Sequence, residues 1–145
     1  MELMRDVINK ARDDGVTRFV VGAIILDELN RVLLLERPQS DFMAGIFELP
    51  SGCVESDEDL FQALLREVKE ETGLIISSIN KYAGHFDYNS SSEQKTRQFN
   101  FVVSAVDTNF INLSEHVSHK WARYHEINLL PITENVQKII KGAIS

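Results

Sequence analysis

Apolar residues recur at helical spacing in several stretches of the chain, with β-branched runs between them. Leu3, Met4, Val7, Ile8 and Ala11 share one face of an amphipathic helix over residues 2–13, ended near Asp13-Asp14-Gly15. The run TRFVVGAIIL, Thr17 to Leu26, is apolar and β-branched throughout, as a buried strand is. Asp27 to Asn30 reads as a turn and Arg31 to Arg37 as a second strand, so the two are expected to form a hairpin. Gly22 inside the first strand marks a bulge or a close approach. Residues 38–45 read as a loop, and Phe47-Glu48-Leu49 as a short strand.

A second helical stripe follows. Leu60, Phe61, Leu64, Leu65 and Val68 make a core-facing stripe, preceded by the capping pattern Ser56-Asp57-Glu58-Asp59 and closed by Gly73. Ala63 sits on the side of the helix that carries the glutamates. Leu74 to Tyr82 and Gln98 to Val106 are strand candidates around a polar loop or hairpin tip, His85 to Thr96. Ser118 to Tyr124 is a further strand with Trp121 as a core residue. Thr133 heads a terminal helix with Val136, Ile139, Ile140 and Ala143 on one face. Strands interrupted by one helix and finished by another imply an α/β domain with helices on the faces of a mixed sheet.

Composition narrows the class. A chain of 145 residues, 43% hydrophobic and 26% charged, has the length of one domain, 1–145, with a real core. Its formal net charge of −7 argues against a polymeric nucleic acid or a membrane surface as partner. It leaves small anionic substrates open, because bound cations reverse the local sign. Cys53 is the single cysteine, so no internal disulfide forms and a cytoplasmic location is expected.

The candidate chemistry lies on the second helix. Glu67, Glu70 and Glu71 fall three and four residues apart, hence on one side. A like-charge pair about 4 Å apart costs roughly 1 kcal/mol in water and about 4 at an effective dielectric near 20. Either the glutamates form a solvated acidic face, or a hard divalent cation such as Mg²⁺ draws them together.

The wider pattern decides between these readings. Gly52, five residues, Glu58, seven residues, then Arg66-Glu67-Val68-Lys69-Glu70-Glu71-Thr72-Gly73-Leu74 resembles the Nudix box, here residues 52–74. The resemblance implies an α/β/α sandwich with a mixed sheet, and metal-dependent attack of water on phosphorus in a nucleoside diphosphate-linked substrate. It implies Glu67, Glu70 and Glu71 as ligands of Mg²⁺, with Mn²⁺ as the alternative, joined by the backbone carbonyl of Ser51. Glu70 or Glu71 would help to deprotonate the water. Ser51 replaces a frequent glycine and would be strained at positive φ. Arg66 and Glu58 would orient the helix and its carboxylates.

Less specific matches extend to MutT-type enzymes. Arg37 resembles an arginine that grips phosphates, or is an exposed strand end. Glu115 lies in a loop where those enzymes place a further catalytic glutamate, and His116 and His119 nearby read as loop and strand side chains. Arg97 either reaches a phosphate or flanks a strand. Phe47, Phe42 or Tyr88 would stack on a base, and Thr133 stands where MutT-type enzymes read the purine with asparagine.

Markers of other subfamilies are missing. Asn89 replaces the proline of ADP-ribose hydrolases, and Tyr88 is out of register for dinucleoside-polyphosphate hydrolases. The resemblance therefore favours a nucleoside triphosphate, natural or oxidised, cleaved to monophosphate and pyrophosphate by a monomer or homodimer. The alternatives are an ADP-ribose or dinucleoside polyphosphate pyrophosphatase, and a nucleotide-sensing module without turnover.

Overall fold

The computed structural model describes residues 2–39 and 44–144. Two sheets and three helices follow from the apolar runs. Strands β1 (Arg18–Ile25), β4 (Ser51–Cys53), β5 (Ile76–Asn89) and β6 (Lys95–Ala105) form a mixed sheet in the order β4-β1-β6-β5. In it, β1 runs parallel to β6 and antiparallel to β4. Strands β2 (Val32–Glu36), β3 (Phe47–Glu48) and β7 (Ser118–Ala122) form a second, antiparallel sheet in the order β3-β2-β7. Helices α1 (Glu2–Asp13) and α2 (Leu60–Thr72) pack against one core, which holds Val21, Ala23, Phe99 and Phe101. Helix α3 (Glu134–Ile144) closes a second core around Ile24, Val102, Leu34 and Leu49. The α/β/α arrangement is thus present.

The expected β1–β2 hairpin is not. Leu26 and Val32 make an isolated bridge, after which the strands part into different sheets. Both edges of β1 are taken by β4 and β6, and Leu33 and Leu35 of β2 enter the α2 core while Leu34 enters the other. Strands buried on both faces carry no alternation that would assign them to one sheet.

Helix α2 starts later than its acidic lead-in suggests. Asp59 is the N-cap, its carboxylate accepting from Gln62 N at 2.8 Å, while Gln62 Oε1 accepts from Asp59 N. Glu58 therefore lies before the helix, free to meet Arg66. Leu65 is 45% exposed, and Ala63 lies in the core instead of beside the carboxylates. At the other end Gly73 takes the left-handed conformation, φ 77°, that closes a helix cheaply for glycine. Strand β5 runs to Asn89 and β6 starts at Lys95, so most of the expected polar loop is a hairpin with its tip at 90–94. Trp121 packs on the α2 core, and Val136, Ile139, Ile140 and Ala143 of α3 on the other.

Candidate active site

The N-terminal half of α2 and the strand before it are tied together by one guanidinium. Arg66 donates Nε and Nη2 to the two oxygens of Glu58 at 2.6 and 2.8 Å. Nη2 also reaches the Cys53 carbonyl at 3.0 Å, and Nη1 meets Glu67 at 2.7 Å and Glu70 at 3.3 Å. The paired guanidinium, with help from the Glu55 amide, holds Glu58 far below the usual carboxylate range, at about 2. Charge-assisted, two-pronged bonds of this kind are the strong ones.

Glu67 lies over β4. A Cβ on Gly52 would collide with its carboxylate, so glycine is needed there for close approach. Burial raises the pKa of Glu67 against the opposing pull of Arg66. Glu70 is 58% exposed at its side chain and turns to Arg66. Among the described residues no group of histidine, cysteine, aspartate or glutamate side chains is gathered as an ion would gather it. The three box glutamates thus share a helix side, but Arg66 holds two of them.

Glu71 is different. It accepts a hydrogen bond from Ser51 N at 2.8 Å and is otherwise sunk into protein, which pushes its pKa up to about 7. Among the described residues the basic group that stands nearest is the His116 imidazole, its Nδ1 4.0 Å from Glu71 Oε2. His116 Nε2 bonds Glu48 at 2.7 Å, and Glu48 receives Arg37 Nη1 at 3.0 Å. Burial pulls the imidazole down, yet the bond to Glu48 and the charges of Glu71 and Glu48 outweigh it and hold its pKa above the ordinary value. His116 Nδ1 is buried with no hydrogen-bond partner. Ser51 sits in extended β4 and is not among the described residues with positive φ, so the strain that a serine raised there is not incurred.

These groups open into a cavity of about 900 Å³. Its floor is the mixed sheet, where Cys53, Val20, Gln98 and Phe86 stand in one row across β4, β1, β6 and β5. Arg37, Phe47 and Glu48 line it from the second sheet, Thr133 and Asn135 from the start of α3, and Glu115 and His116 from the loop before β7. Glu71 is the box glutamate in its wall. Phe42 lies outside the described residues.

The structure thus gathers Arg37, Phe47, Ser51, Glu71, Glu115 and Thr133 on one cavity. It takes Arg97 elsewhere. That side chain is 5% exposed and clamped by Asp87 at 2.7 and 2.9 Å and Asp14 at 2.9 Å. It lines a smaller hollow beneath α1 with Asp6, Lys10 and His85, so it offers no hand to a ligand in the main cavity. Successive strand residues face opposite sides of a sheet, and Arg97 falls on the α1 side while Gln98 falls on the cavity side. Glu48, Gln98 and Arg18 are cavity residues that the sequence does not single out, and His116, read there as a loop side chain, lines the cavity as well. A histidine and a glutamate 68 positions apart carry no local signal of their bond.

A NUDIX domain model matches residues 16–142. The chain belongs to the NUDIX family. Among its relatives, an ADP-ribose pyrophosphatase of Methanocaldococcus jannaschii is 33% identical over 81% of this chain and 68% of its own length. An 8-oxo-dGTP diphosphatase of Proteus vulgaris is 38% identical over 40% of this chain, and a CTP pyrophosphohydrolase of Escherichia coli 43% over 37%. Those two alignments span 52% and 40% of the relatives' lengths. A MutT protein from Methanosarcina mazei Go1 superposes with a TM-score of 0.75 at 27% identity, covering 88% of this chain and 93% of that one. The Escherichia coli ORF135 protein gives 0.74 at 26%, covering 90% and 91%. The expected Nudix fold and the place in a pyrophosphohydrolase family are both borne out. No described helix of this Nudix domain is long and apolar enough to cross a membrane.

Proposed function

We propose that this Nudix domain hydrolyses a nucleoside diphosphate-linked substrate, a nucleoside triphosphate first among them, with water attacking phosphorus and a nucleoside monophosphate and pyrophosphate leaving. One observation carries the reading: Glu71 is a deep-set carboxylate without a full cationic partner, in the wall of a cavity that also holds Arg37. A buried carboxylate in such a place either keeps its proton or takes a cation.

The donor set suits a divalent ion. Burial raises the pKa of both Glu67 and Glu71, and they offer oxygen, which Mg²⁺ prefers. Glu67, Glu70 and Glu71, with the Ser51 carbonyl, are the residues that would hold it. Such an ion, once bound, lowers the pKa of water and neutralises phosphate charge.

The chain's own groups do the rest. Arg37 supplies a positive charge beside Glu48, at the far end of the Glu48–His116 chain that leads to Glu71. Glu115, exposed in the loop before β7 and lining the cavity, is the candidate to accept a proton from the attacking water. His116 tethers Glu48 and places its second nitrogen towards Glu71. Arg66 and Glu58 fix the pitch of α2 over β4. Phe47 and Phe86 give the cavity apolar surface on which a base can stack.

ADP-ribose is a second reading, favoured by the relative that aligns over most of this chain and by a cavity at the large end of the usual range for small-molecule sites. A substrate panel with Mg²⁺ separates the two: nucleoside triphosphates, ADP-ribose and a dinucleoside polyphosphate, products resolved by chromatography. Monophosphate and pyrophosphate from the triphosphates is the expected result. Turnover of ADP-ribose alone would move the substrate and keep the site. Binding without any turnover would leave a nucleotide-sensing domain.

A further inference from the structure

Three buried positions of the mixed sheet remain unexplained by the carboxylate site: Gly22, Asn100 and Gln98. They form one device. Asn100 is fully buried and Gln98 is 7% exposed, both on the face that floors the cavity. Asn100 Nδ2 donates to the Gly84 carbonyl at 3.2 Å and the Gln98 carbonyl at 3.3 Å. Backbone carbonyls only accept, so the amide of Asn100 has one orientation, with Oδ1 turned to Gln98. Gln98 Nε2 donates to that oxygen at 2.9 Å. The orientation of Gln98 is thereby fixed in turn, and its Oε1 is left without a partner among the described residues while not sealed from solvent.

Gly22 makes room for the pair. A Cβ there would lie 2.5 Å from both Asn100 Oδ1 and Gln98 Nε2. Two polar amides in a sheet otherwise walled by Val20, Val102 and Phe86 are costly to bury, and a plain apolar pair would fill the space. Gln98 also has a telling position. It stands two strands from Cys53 of the box, roughly 10 Å at the usual strand spacing, beside Phe86 and two register positions from Tyr88 on the same face. That separation suits a phosphate at the Glu71 end, a pentose between, and a base at Gln98.

We propose that Gln98, oriented by Asn100, discriminates between nucleobases, its carboxamide oxygen accepting from an exocyclic amino group at purine C6 or pyrimidine C4, as in adenine and cytosine. The inference rests on the reading of the cavity as a nucleotide site. At the same edge guanine and uracil present a carbonyl, which would face the Gln98 oxygen and repel it. Asn100 acts through Gln98 and is a positioning residue.

The test compares kcat/KM for ATP and CTP with that for GTP and UTP, so that any general loss of activity cancels in the ratio. The wild type is expected to favour the amino bases. Gln98→Met keeps the volume and should compress the ratio about five- to tenfold, the worth of one hydrogen bond. Asn100→Ser should compress it too, through KM more than kcat, with Gln98 still present. An unchanged ratio in folded Gln98→Met, or a wild type that favours the keto bases, overturns the proposal. If no nucleotide is turned over, the hydrolase reading fails by itself. The same ratio is then read as calorimetric affinities for ADP, CDP, GDP and UDP, where equal wild-type affinities would overturn the proposal and compression in Gln98→Met would support it.

Discussion

Two glutamates of one motif, Glu58 and Glu71, live in opposite electrostatic worlds. Glu58 grips Arg66 with both oxygens and is pulled down to about 2; Glu71 is sunk beside a backbone amide and a distant imidazole and is pushed up to about 7. The first region is closed: the guanidinium finds five oxygen partners and the strand, helix and loop lock together. The second is open, with charge buried and not matched. A closed cluster stabilises a shape, whereas an unmatched carboxylate in a cavity wall stores the means to bind a cation or a proton. Like charge at two positions of one motif therefore says little about role until the partners are known.

The contrast breaks first at Glu71. Glu71→Gln keeps the acceptor for Ser51 N but removes the charge, so turnover should fall about 10²-fold or more. Metal-free stability at pH 8 should hold or rise, on the order of 2 kcal/mol, because a charge that burial disfavours is gone. Kinetics and urea melts of the same preparation read both. Gly52→Ala comes next. Its Cβ must displace the Glu67 carboxylate, so activity should drop about tenfold or more while the melting temperature moves little, β4 being a short edge strand.

Arg66→Met tests the closed region. It should cost about 1–2 kcal/mol in urea melts, discounted for partial exposure, with a smaller loss of turnover than Glu71→Gln. A smaller effect belongs to the second closed cluster, Arg97 with Asp87 and Asp14. The hydrogen bond from Arg97 holds both carboxylates below their ordinary values. Depressed carboxylates contribute stability that is present above the unfolded pKa, about 3.9 for aspartate, and lost as pH falls through the folded one. Asp87→Asn should therefore flatten the acid limb of a stability profile below about pH 4 and leave kcat at neutral pH alone.

Much of this was legible in the chain. The box named the family, the helical stripe placed α2, and Gly73 marked its end. The pairing of β1 and β2 was not legible, since fully buried strands lack the alternation that sets a sheet face. Leu65 matched the stripe but sits at its edge, where Ala63 takes the core position. The role of Arg97 was hidden because its partners lie 10 and 83 residues away. In QFNFVV the alternation of polar and aromatic residues was visible, yet it suggests a solvated face. The buried amide pair emerges once Gly22 is seen beside it.

Calorimetric titration of Mg²⁺ into the metal-free wild type and Glu71→Gln tests the central claim most directly. The open carboxylate should make the wild type bind the ion and Glu71→Gln lose most of that binding, while Asp87→Asn, in a closed cluster, binds as the wild type does. Equal Mg²⁺ binding by wild type and Glu71→Gln would contradict the account.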